Sequence, residues 1–244
     1  MQKLWKLFRA SVQRFGIQPG FIVLTVLALI FTAGLTQGAQ TISLEAQNDM
    51  LLRNVKTESV TYKDRKALRV TDTAASNVPD GERLVILNKT NFQDGAIEVE
   101  MTGELAATAV EGARGFVGIA FRVSAASNDA FKYECFYLRP TNGRADDQVR
   151  RNHSTQYISF PDFPWQKLRK EFPEKYESYV DLLPGEWTKV KIEARGDKAR
   201  LYVNDSSQPV LVVNDLKLGQ SQGKIALWVG PGTIAHFANL RISK

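Results

Sequence analysis

The segment from Phe131 to Trp165 carries the densest set of side chains that could bind or convert a ligand. It begins as an aromatic, strand-like run and continues as a long loop rich in Arg, Asp, Asn, Gln and Tyr. Connections longer than about 12–15 residues are usually functional or disordered, and the aromatic content of this one argues against disorder. Planar hydrogen-bond donors, carboxylates and aromatic faces together can hold a polyhydroxylated ligand such as a sugar. The segment therefore predicts a ligand site.

Three carboxylates of this region, Glu134, Asp146 and Asp147, are the candidate catalytic groups. A carboxylate beside arginines stays ionised and can orient a sugar hydroxyl, or accept a proton when partly desolvated. Glu134 could instead form a structural ion pair with Arg122. The adjacent aspartates could bind Ca²⁺, which takes six to eight oxygens, but two acids do not complete such a set. We therefore expect no cofactor, with calcium as the alternative.

The candidate ligand contacts share planar or aromatic side chains that can form directional hydrogen bonds or stack on a sugar ring. They are Arg122, Tyr133, Arg139, Asn142, Arg144, Arg150, Asn152, His153, Gln156, Tyr157 and Trp165. In the alternative interpretation the loop braces itself, and its arginines, including Arg151, pair with Asp146 and Asp147. Of the other tryptophans, Trp187 is predicted to be a core residue, and Trp228 is left open.

Other kinds of catalytic site have little support in the sequence. Glu98 and Glu100 share a strand face about 6.6 Å apart, within the range used by glycosidases, but the surrounding pattern favours a solvated strand face. The chain has two histidines, His153 and His236, and one cysteine, Cys135. A zinc site and a Ser-His-Asp triad are therefore not predicted, and a lone cysteine cannot form an intrachain disulfide.

The first 39 residues have the pattern of a targeting segment. Residues 1–20 contain four basic residues and no acid, residues 21–35 form an apolar run, and small residues follow. This pattern is typical of a secretory signal peptide, with an uncleaved signal anchor as the alternative, although the run is shorter than the roughly 20 residues that span a bilayer. We expect an extracytoplasmic protein, periplasmic or secreted, that contacts a membrane only if the segment remains as an anchor facing outside.

The net charge does not indicate a nucleic-acid partner. The formal charge of the chain is +6, and four of these charges lie in the leader, which leaves +2 for the remainder. Electrostatic attraction to phosphates, the dominant contribution to non-specific nucleic-acid binding, thus loses its main support.

The rest of the chain has the pattern of one all-β domain. Residues 40–56 are predicted as a loose lead-in, 57–244 as the domain, and 141–184 as an insertion with a short helix at Trp165–Glu171. Short runs separated by Gly, Asn and Asp turns indicate a sandwich or barrel. In one run, Gly118 and Ala120 leave a nearly bare face, which predicts room for a ligand. The predicted strands are Ala67–Thr71, Arg83–Leu87, Ala96–Met101, Gly115–Val123, Phe131–Arg139, Thr188–Ala194, Arg200–Val203, Val210–Val213, Lys224–Val229 and Ile234–Ile242.

Several short motifs resemble a known family. Gly118-Ile119-Ala120-Phe121-Arg122 followed by Tyr133-Glu134 is similar to a motif pair of the DUF1080 domain, whose members include 3-keto-disaccharide hydrolases. Gly185-Glu186-Trp187, the Arg195-Gly196 turn and Tyr202-Val203-Asn204 are also similar to that family. The resemblance covers roughly residues 81–244, excludes the insertion, and extends more loosely to laminin-G-like and glycoside hydrolase family 16-like domains.

This resemblance implies a two-sheet antiparallel jelly-roll sandwich of the concanavalin A-like type. It also implies that Arg122 and Glu134 lie on neighbouring strands of a concave, carbohydrate-facing surface. We expect a carbohydrate-binding protein that uses this face and the insertion 141–184. The alternatives are an enzyme of the 3-keto-glycoside hydrolase or lyase type with a carboxylate acid/base, and a cell-surface adhesion module with a protein partner.

Overall fold

The computed structural model describes residues 38–45, 47–73, 82–126 and 130–244, so most of the predicted leader lies outside the described residues. Two antiparallel sheets, here sheet A and sheet B, pack face to face as a sandwich. The predicted all-β jelly-roll architecture is confirmed. None of the helices in the described part of the chain could span a lipid bilayer.

Sheet A has eight strands. The strands are β1 (Gln40–Thr41), β3 (Val55–Tyr62), β4 (Arg65–Asp72), β6 (Gly95–Leu105), β11 (Thr188–Arg195), β12 (Lys198–Val203), β13 (Leu211–Val213) and β15 (Thr233–Ser243). Their order is β13-β12-β11-β6-β15-β4-β3, and β1 pairs with β15 beside this path. In β6 the predicted alternation is present: Ile97, Val99 and Met101 are buried in the core, and Glu98 is exposed.

Sheet B has seven strands in the order β10-β9-β8-β7-β14-β5-β2. The strands are β2 (Met50–Arg53), β5 (Leu84–Phe92), β7 (Val117–Ala125), β8 (Phe131–Leu138), β9 (Thr155–Phe160), β10 (Glu177–Ser178) and β14 (Gly223–Val229). Phe121 and Phe136 stack in the core with ring centroids 6.2 Å apart, and Phe92 meets Phe121 edge-on at 5.9 Å. Such pairs add about 0.5–1.5 kcal/mol beyond the area that they bury.

The insertion 141–184 is more regular than predicted. The predicted helix is confirmed as α2 (Trp165–Glu171), and a shorter helix, α1 (Gln148–Asn152), precedes it. The insertion also contributes β9 and β10, which extend sheet B beyond β8. Because the residues of β9 are buried on both faces of the strand, its sequence lacks the alternation of apolar and polar residues that marks a half-buried strand.

The segment 40–56 is not the loose lead-in that was predicted. Gln40 and Thr41 pair with Ile242 and Arg241 of β15. Residues Met50–Arg53 form the edge strand of sheet B, paired with β5. The short strands β1 and β2 contain few residues each, so their sequence pattern is too short to predict them.

The face of sheet B that carries Gly118, Ala120 and Tyr137, here the outer face of sheet B, is filled rather than open. The strand register places Gly118 between Tyr137 of β8 and Trp228 of β14. Their rings stack at 4.6 Å, and a Cβ added at Gly118 would lie 2.5 Å from the Tyr137 Cβ. The glycine therefore makes room for two aromatic side chains of the protein itself, and the prediction that this stripe leaves room for a ligand is wrong.

The buried His236 makes the stability of the fold dependent on pH. Its ring stacks on Tyr62 with centroids 3.8 Å apart, and its Nδ1 lies 3.3 Å from the Thr102 Oγ1. Burial, assisted by the nearby Arg69, lowers the pKa of His236 from 6.5 to about 4. As the pH falls from about 6.5 to about 4, the unfolded chain takes up this proton before the folded chain does, so the folded state loses stability.

We predict that His236 contributes about 1–3 kcal/mol to the fall in unfolding free energy between pH 7 and pH 4.5. The measurement is urea denaturation of the wild type and of His236→Gln at both pH values. The variant should lose less stability over this interval than the wild type does. Because all other titrating groups are common to the two proteins, equal losses would show that His236 is not the group responsible.

Candidate functional site

A buried carboxylate held by two arginines lies at one border of the outer face of sheet B. The Arg139 Nη1 donates to the Glu177 Oε1 at 2.9 Å, and the Arg169 Nε donates to the Glu177 Oε2 at 2.9 Å. Burial alone would raise the pKa of Glu177, but Arg169 and Arg139 outweigh it and leave this pKa below its usual value. Glu177 is therefore an ionised anchor.

Strand register brings this anchor together with its neighbours. Tyr137, Gln156 and Glu177 lie opposite one another on β8, β9 and β10, and so point to the same face of sheet B. The Arg139 Nη2 donates to the Tyr137 hydroxyl and to the Gln156 Oε1, each at 2.9 Å, while the Nη1 also donates to the His153 carbonyl at 3.0 Å. One guanidinium thus fixes the relative positions of three strands and of the turn that precedes β9.

Helix α2 contributes two partly exposed side chains to this group of residues. Trp165 and Arg169 are four residues apart and share one face of the helix. The Arg169 guanidinium lies 4.7 Å from the Trp165 ring centroid, and that of Arg139 lies 5.9 Å from it. Arg169 keeps 34% of its side chain exposed. We call the seven residues Tyr137, Arg139, His153, Gln156, Trp165, Arg169 and Glu177 the arginine–carboxylate cluster.

His153 is the titratable group at the border of this cluster. Its Nε2 lies 3.7 Å from the Glu177 Oε2, and 18% of its side chain is exposed. Burial lowers the pKa of His153 despite the attraction of Glu177. The imidazole is therefore neutral at neutral pH and can accept a proton. The accessible border thus offers an aromatic ring, a guanidinium and a neutral imidazole.

The cluster includes four of the predicted ligand contacts, Arg139, His153, Gln156 and Trp165. Asn142 stabilises the cluster without being part of it, because the buried side-chain amide of Asn142 donates to the His153 carbonyl at 3.1 Å. Glu177, Arg169 and Tyr137 were not predicted. The spacing of Trp165 and Arg169 on the predicted helix could have suggested Arg169, whereas the partnership of Arg139 with Glu177 depends on a strand pairing that the sequence does not reveal.

The other predicted residues of the insertion lie outside the cluster. Arg144 forms a two-point ion pair with Asp181 at 2.7 and 2.8 Å, so the alternative interpretation, in which this arginine pairs with Asp146 or Asp147, is wrong. Asp147 caps α1 by accepting from the Arg150 backbone N–H at 3.1 Å.

Three further residues of this loop have surface or local roles. Asp146 and Asn152 are exposed. The Arg150 guanidinium makes a long contact of 3.5 Å to the Asn142 Oδ1. No group of three or more His, Cys, Asp or Glu side chains that could hold a metal ion occurs in the part of the chain that the structure describes.

Glu134 does not lie where the resemblance implied. It pairs with Phe121 across β7 and β8 and therefore points to the core side, opposite Gly118 and Ala120. The Tyr157 hydroxyl donates to its Oε2 at 2.6 Å, and the Leu218 N–H donates to its Oε1 at 2.7 Å. Burial raises the pKa of Glu134. Glu134 and Tyr157 are fully buried, which contradicts their predicted roles as acid/base and ligand contact.

Arg122 and Tyr133 are also buried and do not face a ligand. Tyr133 stacks on Phe160 with centroids 5.4 Å apart. The Arg122 side chain donates to the carbonyls of Gln93 at 3.0 Å, Gly219 at 2.7 Å and Gly196 at 2.7 Å. Its ion pair, at 3.2 Å, is with Asp94 rather than with Glu134. Arg122 thus braces three turns.

The outer face of sheet A carries Glu98 and Glu100. The Glu100 carboxylate accepts from Arg65 at 2.8 Å and from Asn239 at 2.5 Å. Both glutamates line an open groove of about 530 Å³ with lysines of β11. This setting agrees with the solvated strand face inferred from the sequence. Trp187, predicted as a core residue, is half-buried beneath Arg65, whose guanidinium lies 5.2 Å from the ring centroid.

Comparison with known proteins connects this chain to a family. Residues 48–243 match the model of the 3-keto-alpha-glucoside-1,2-lyase-like domain, which confirms the resemblance inferred from the motifs and extends it toward the N-terminus and across the insertion. No curated protein sequence matches the chain.

Solved structures share the fold at low sequence identity. A protein of unknown function with a galectin-like fold from Bacillus subtilis is 10% identical, with 82% of this chain and 91% of that chain covered and a TM-score of 0.54. The carbohydrate binding module CBM66 from Bacillus subtilis is 16% identical, with coverages of 79% and 97% and a TM-score of 0.49. At 10% identity, the likeness to the galectin-like protein concerns the fold alone.

Removing the charge of Glu177 should destabilise the protein strongly. In Glu177→Gln the buried Arg139 loses its counter-charge, and breaking a buried pair in this way costs about 3–5 kcal/mol. The matched control is Asp181→Asn, because Asp181 pairs with Arg144 where both side chains are more than half exposed. Urea denaturation should show a large fall in the midpoint for the first variant and none for the second. Equal effects would mean that Arg139 does not depend on Glu177.

Proposed function

Since the chain belongs to the 3-keto-alpha-glucoside-1,2-lyase-like family, we propose that it binds a saccharide at the accessible border of the arginine–carboxylate cluster. One observation carries this proposal: Trp165 and Arg169 lie side by side on one helix, each half-buried, and both contact buried charged residues.

The anchor beneath these side chains supports a binding role. Buried Glu177 fixes Arg169 from below, so the guanidinium is held in place before a ligand arrives, which lowers the entropic cost of binding. An aromatic ring offers a face for the apolar side of a sugar. The Nε and Nη2 of Arg169 are directed at Glu177, and the remaining N–H donors of its guanidinium can reach the sugar oxygens. Because a fold by itself does not imply a function, the proposal is supported by the side chains of the site and by the family.

A lyase is the second candidate, and the neutral imidazole of His153 favours it. In a 3-keto-glucoside, a base can remove the proton from C2 because the neighbouring ketone stabilises the resulting enolate. The electron pair then forms the C1–C2 double bond as the C1–O bond breaks, and the leaving oxygen takes up a proton. His153 would act as the base, and Arg169 would stabilise the enolate oxygen. Glu134, predicted earlier as acid/base, is enclosed in the core.

Saccharide binding is tested first with Trp165→Ala. A glycan array that includes neutral, acidic and 3-keto sugars identifies a ligand for the wild type, and calorimetry then compares the proteins. We expect Trp165→Ala to lose about 10-fold or more in affinity, because it removes the stacking face (about 1–3 kcal/mol for a ligand-contact side chain). The control is Arg144→Ala in the same insertion, which should bind as the wild type does.

His153→Gln then separates binding from catalysis. If the chain is a lyase, this variant should retain most of its binding and lose roughly 10²–10⁴ in rate. If it is a binding module, the wild type shows no turnover. Unchanged binding by Trp165→Ala, or a wild type that neither binds nor converts any sugar on the array, would contradict the proposal and favour the adhesion alternative.

A further inference from the structure

A cavity of about 960 Å³ lies at the end of the outer face of sheet A, away from the arginine–carboxylate cluster. We call it the basic groove. Its walls come from the turn between β5 and β6, from the turn between β11 and β12, and from the segment after β13; they include Gln93, Arg195, Lys198, Arg200 and Asn214. Its floor contains the small Ala96, which pairs with Glu193 on one side and Ser243 on the other.

The cations of the basic groove differ from those elsewhere on the same sheet. On β11, Lys189 pairs with Asp205 at 2.6 Å and Lys191 pairs with Glu193 at 2.8 Å. By contrast, Arg195, Lys198 and Arg200 are exposed. Among the residues that the structure describes, no carboxylate lies within ion-pair distance of these three. Arg200 nevertheless lies opposite Glu193 in the β11–β12 pairing and helps to lower the pKa of Glu193, so part of its charge is neutralised. The charges of Arg195 and Lys198 are available to a ligand.

The carboxylates of the basic groove are already engaged. Asp94 accepts from the Gly196 N–H at 2.9 Å and pairs with the buried Arg122. Glu193 accepts from Lys191 at 2.8 Å and from the Tyr202 hydroxyl at 3.0 Å. The groove consequently retains a positive potential, which attracts anions and raises their rate of association.

Buried Arg122 holds the walls of the basic groove in position. Its donors reach the carbonyls of Gln93, Gly196 and Gly219, one in each of the three turns at this end of the sandwich. Two of these turns, and the segment that contains the third, contribute residues to the groove walls. The spacing between the walls is therefore set by a single guanidinium before any ligand binds.

We propose that the basic groove binds an acidic saccharide, one that carries carboxylate or sulfate groups. The free cations would meet its anionic groups, and the side-chain amides of the groove (Asn91, Gln93, Asn214 and Gln222) would meet its hydroxyls. Ligand pockets span about 300–1,000 Å³, so the volume suits a saccharide of more than one ring. The choice of a saccharide rests on the proposed function, whereas the choice of an anion rests on the groove alone.

The test uses oligogalacturonate as the carboxylated probe, dextran sulfate as the sulfated probe and dextran as the neutral one. The variant Arg195→Gln/Lys198→Gln/Arg200→Gln should lose at least 10-fold in affinity for one or both acidic probes at physiological salt. The control Lys63→Gln/Lys89→Gln/Lys189→Gln removes the same charge from ion-paired lysines that do not line the groove and should stay within about 2-fold, since exposed pairs are worth little to binding elsewhere. Neutral dextran should not respond to either change.

Three results would overturn the inference. The wild type could fail to bind both acidic probes, the two triple variants could lose affinity equally, or single-stranded DNA of matched charge could bind the groove more tightly than the acidic glycans. Trp165→Ala distinguishes this site from the proposed saccharide site. If Trp165→Ala still binds the acidic probes, the basic groove is supported as the anion site even if the cluster binds no saccharide. If Trp165→Ala no longer binds them, the anion binds at the cluster and the assignment to the basic groove is wrong.

Discussion

The ion pair of buried Arg139 with buried Glu177 is the interaction on which the site depends. Removing two charges from water costs several kcal/mol per ion unless the geometry repays it, and here the remaining donors of Arg139 are satisfied by Tyr137, Gln156 and the His153 carbonyl. Through these contacts a single guanidinium joins β8, β9 and β10. The insertion is thereby fixed to sheet B, and α2 presents Trp165 and Arg169 from a rigid base.

A second buried arginine, Arg122, fixes the relative positions of three turns at another part of the sandwich. Arg122 satisfies its donors with carbonyls of three turns and with Asp94. Its backbone has φ 56°, an uncommon conformation for a residue other than glycine, and it lies in a register shift between Phe121 and Ser124. Both arginines therefore have structural roles. The proposed ligand contacts are made by the accessible side chains around them.

Much of the fold could be predicted from the sequence, because it depends on local pattern. All ten predicted strands occur, and the helix Trp165–Glu171 has the predicted bounds. The resemblance, rather than the strand pattern, misplaced Glu134. Alternation along β8 puts Glu134 on the side of Phe136 and opposite Tyr137, which is the core side of sheet B. The position of Arg122 could not be predicted from the pattern, because the irregularity between Phe121 and Ser124 interrupts the alternation of β7.

The candidate site was only partly predictable, for a related reason. Sequence reasoning located the polar insertion and named Arg139, His153, Gln156 and Trp165. It missed Glu177, which lies 38 residues from Arg139 and reaches it through the pairing of β9 with β10. It also interpreted small residues as space for a ligand, whereas Gly118 accommodates Tyr137 and Trp228. The composition of the sequence locates the segment that contains candidate ligand-binding side chains. Which of these side chains remain accessible depends on contacts with residues that are distant in the sequence.

The most direct test is an NMR titration that follows the indole N–H signals of Trp165, Trp187 and Trp228 as a saccharide ligand is added. Trp165 lies at the accessible border of the cluster, Trp228 is buried, and Trp187 lies beneath Arg65 on the outer face of sheet A. We predict that the Trp165 signal shifts with ligand concentration while those of Trp187 and Trp228 stay in place. A saturable titration in which the Trp165 signal does not move would contradict this prediction.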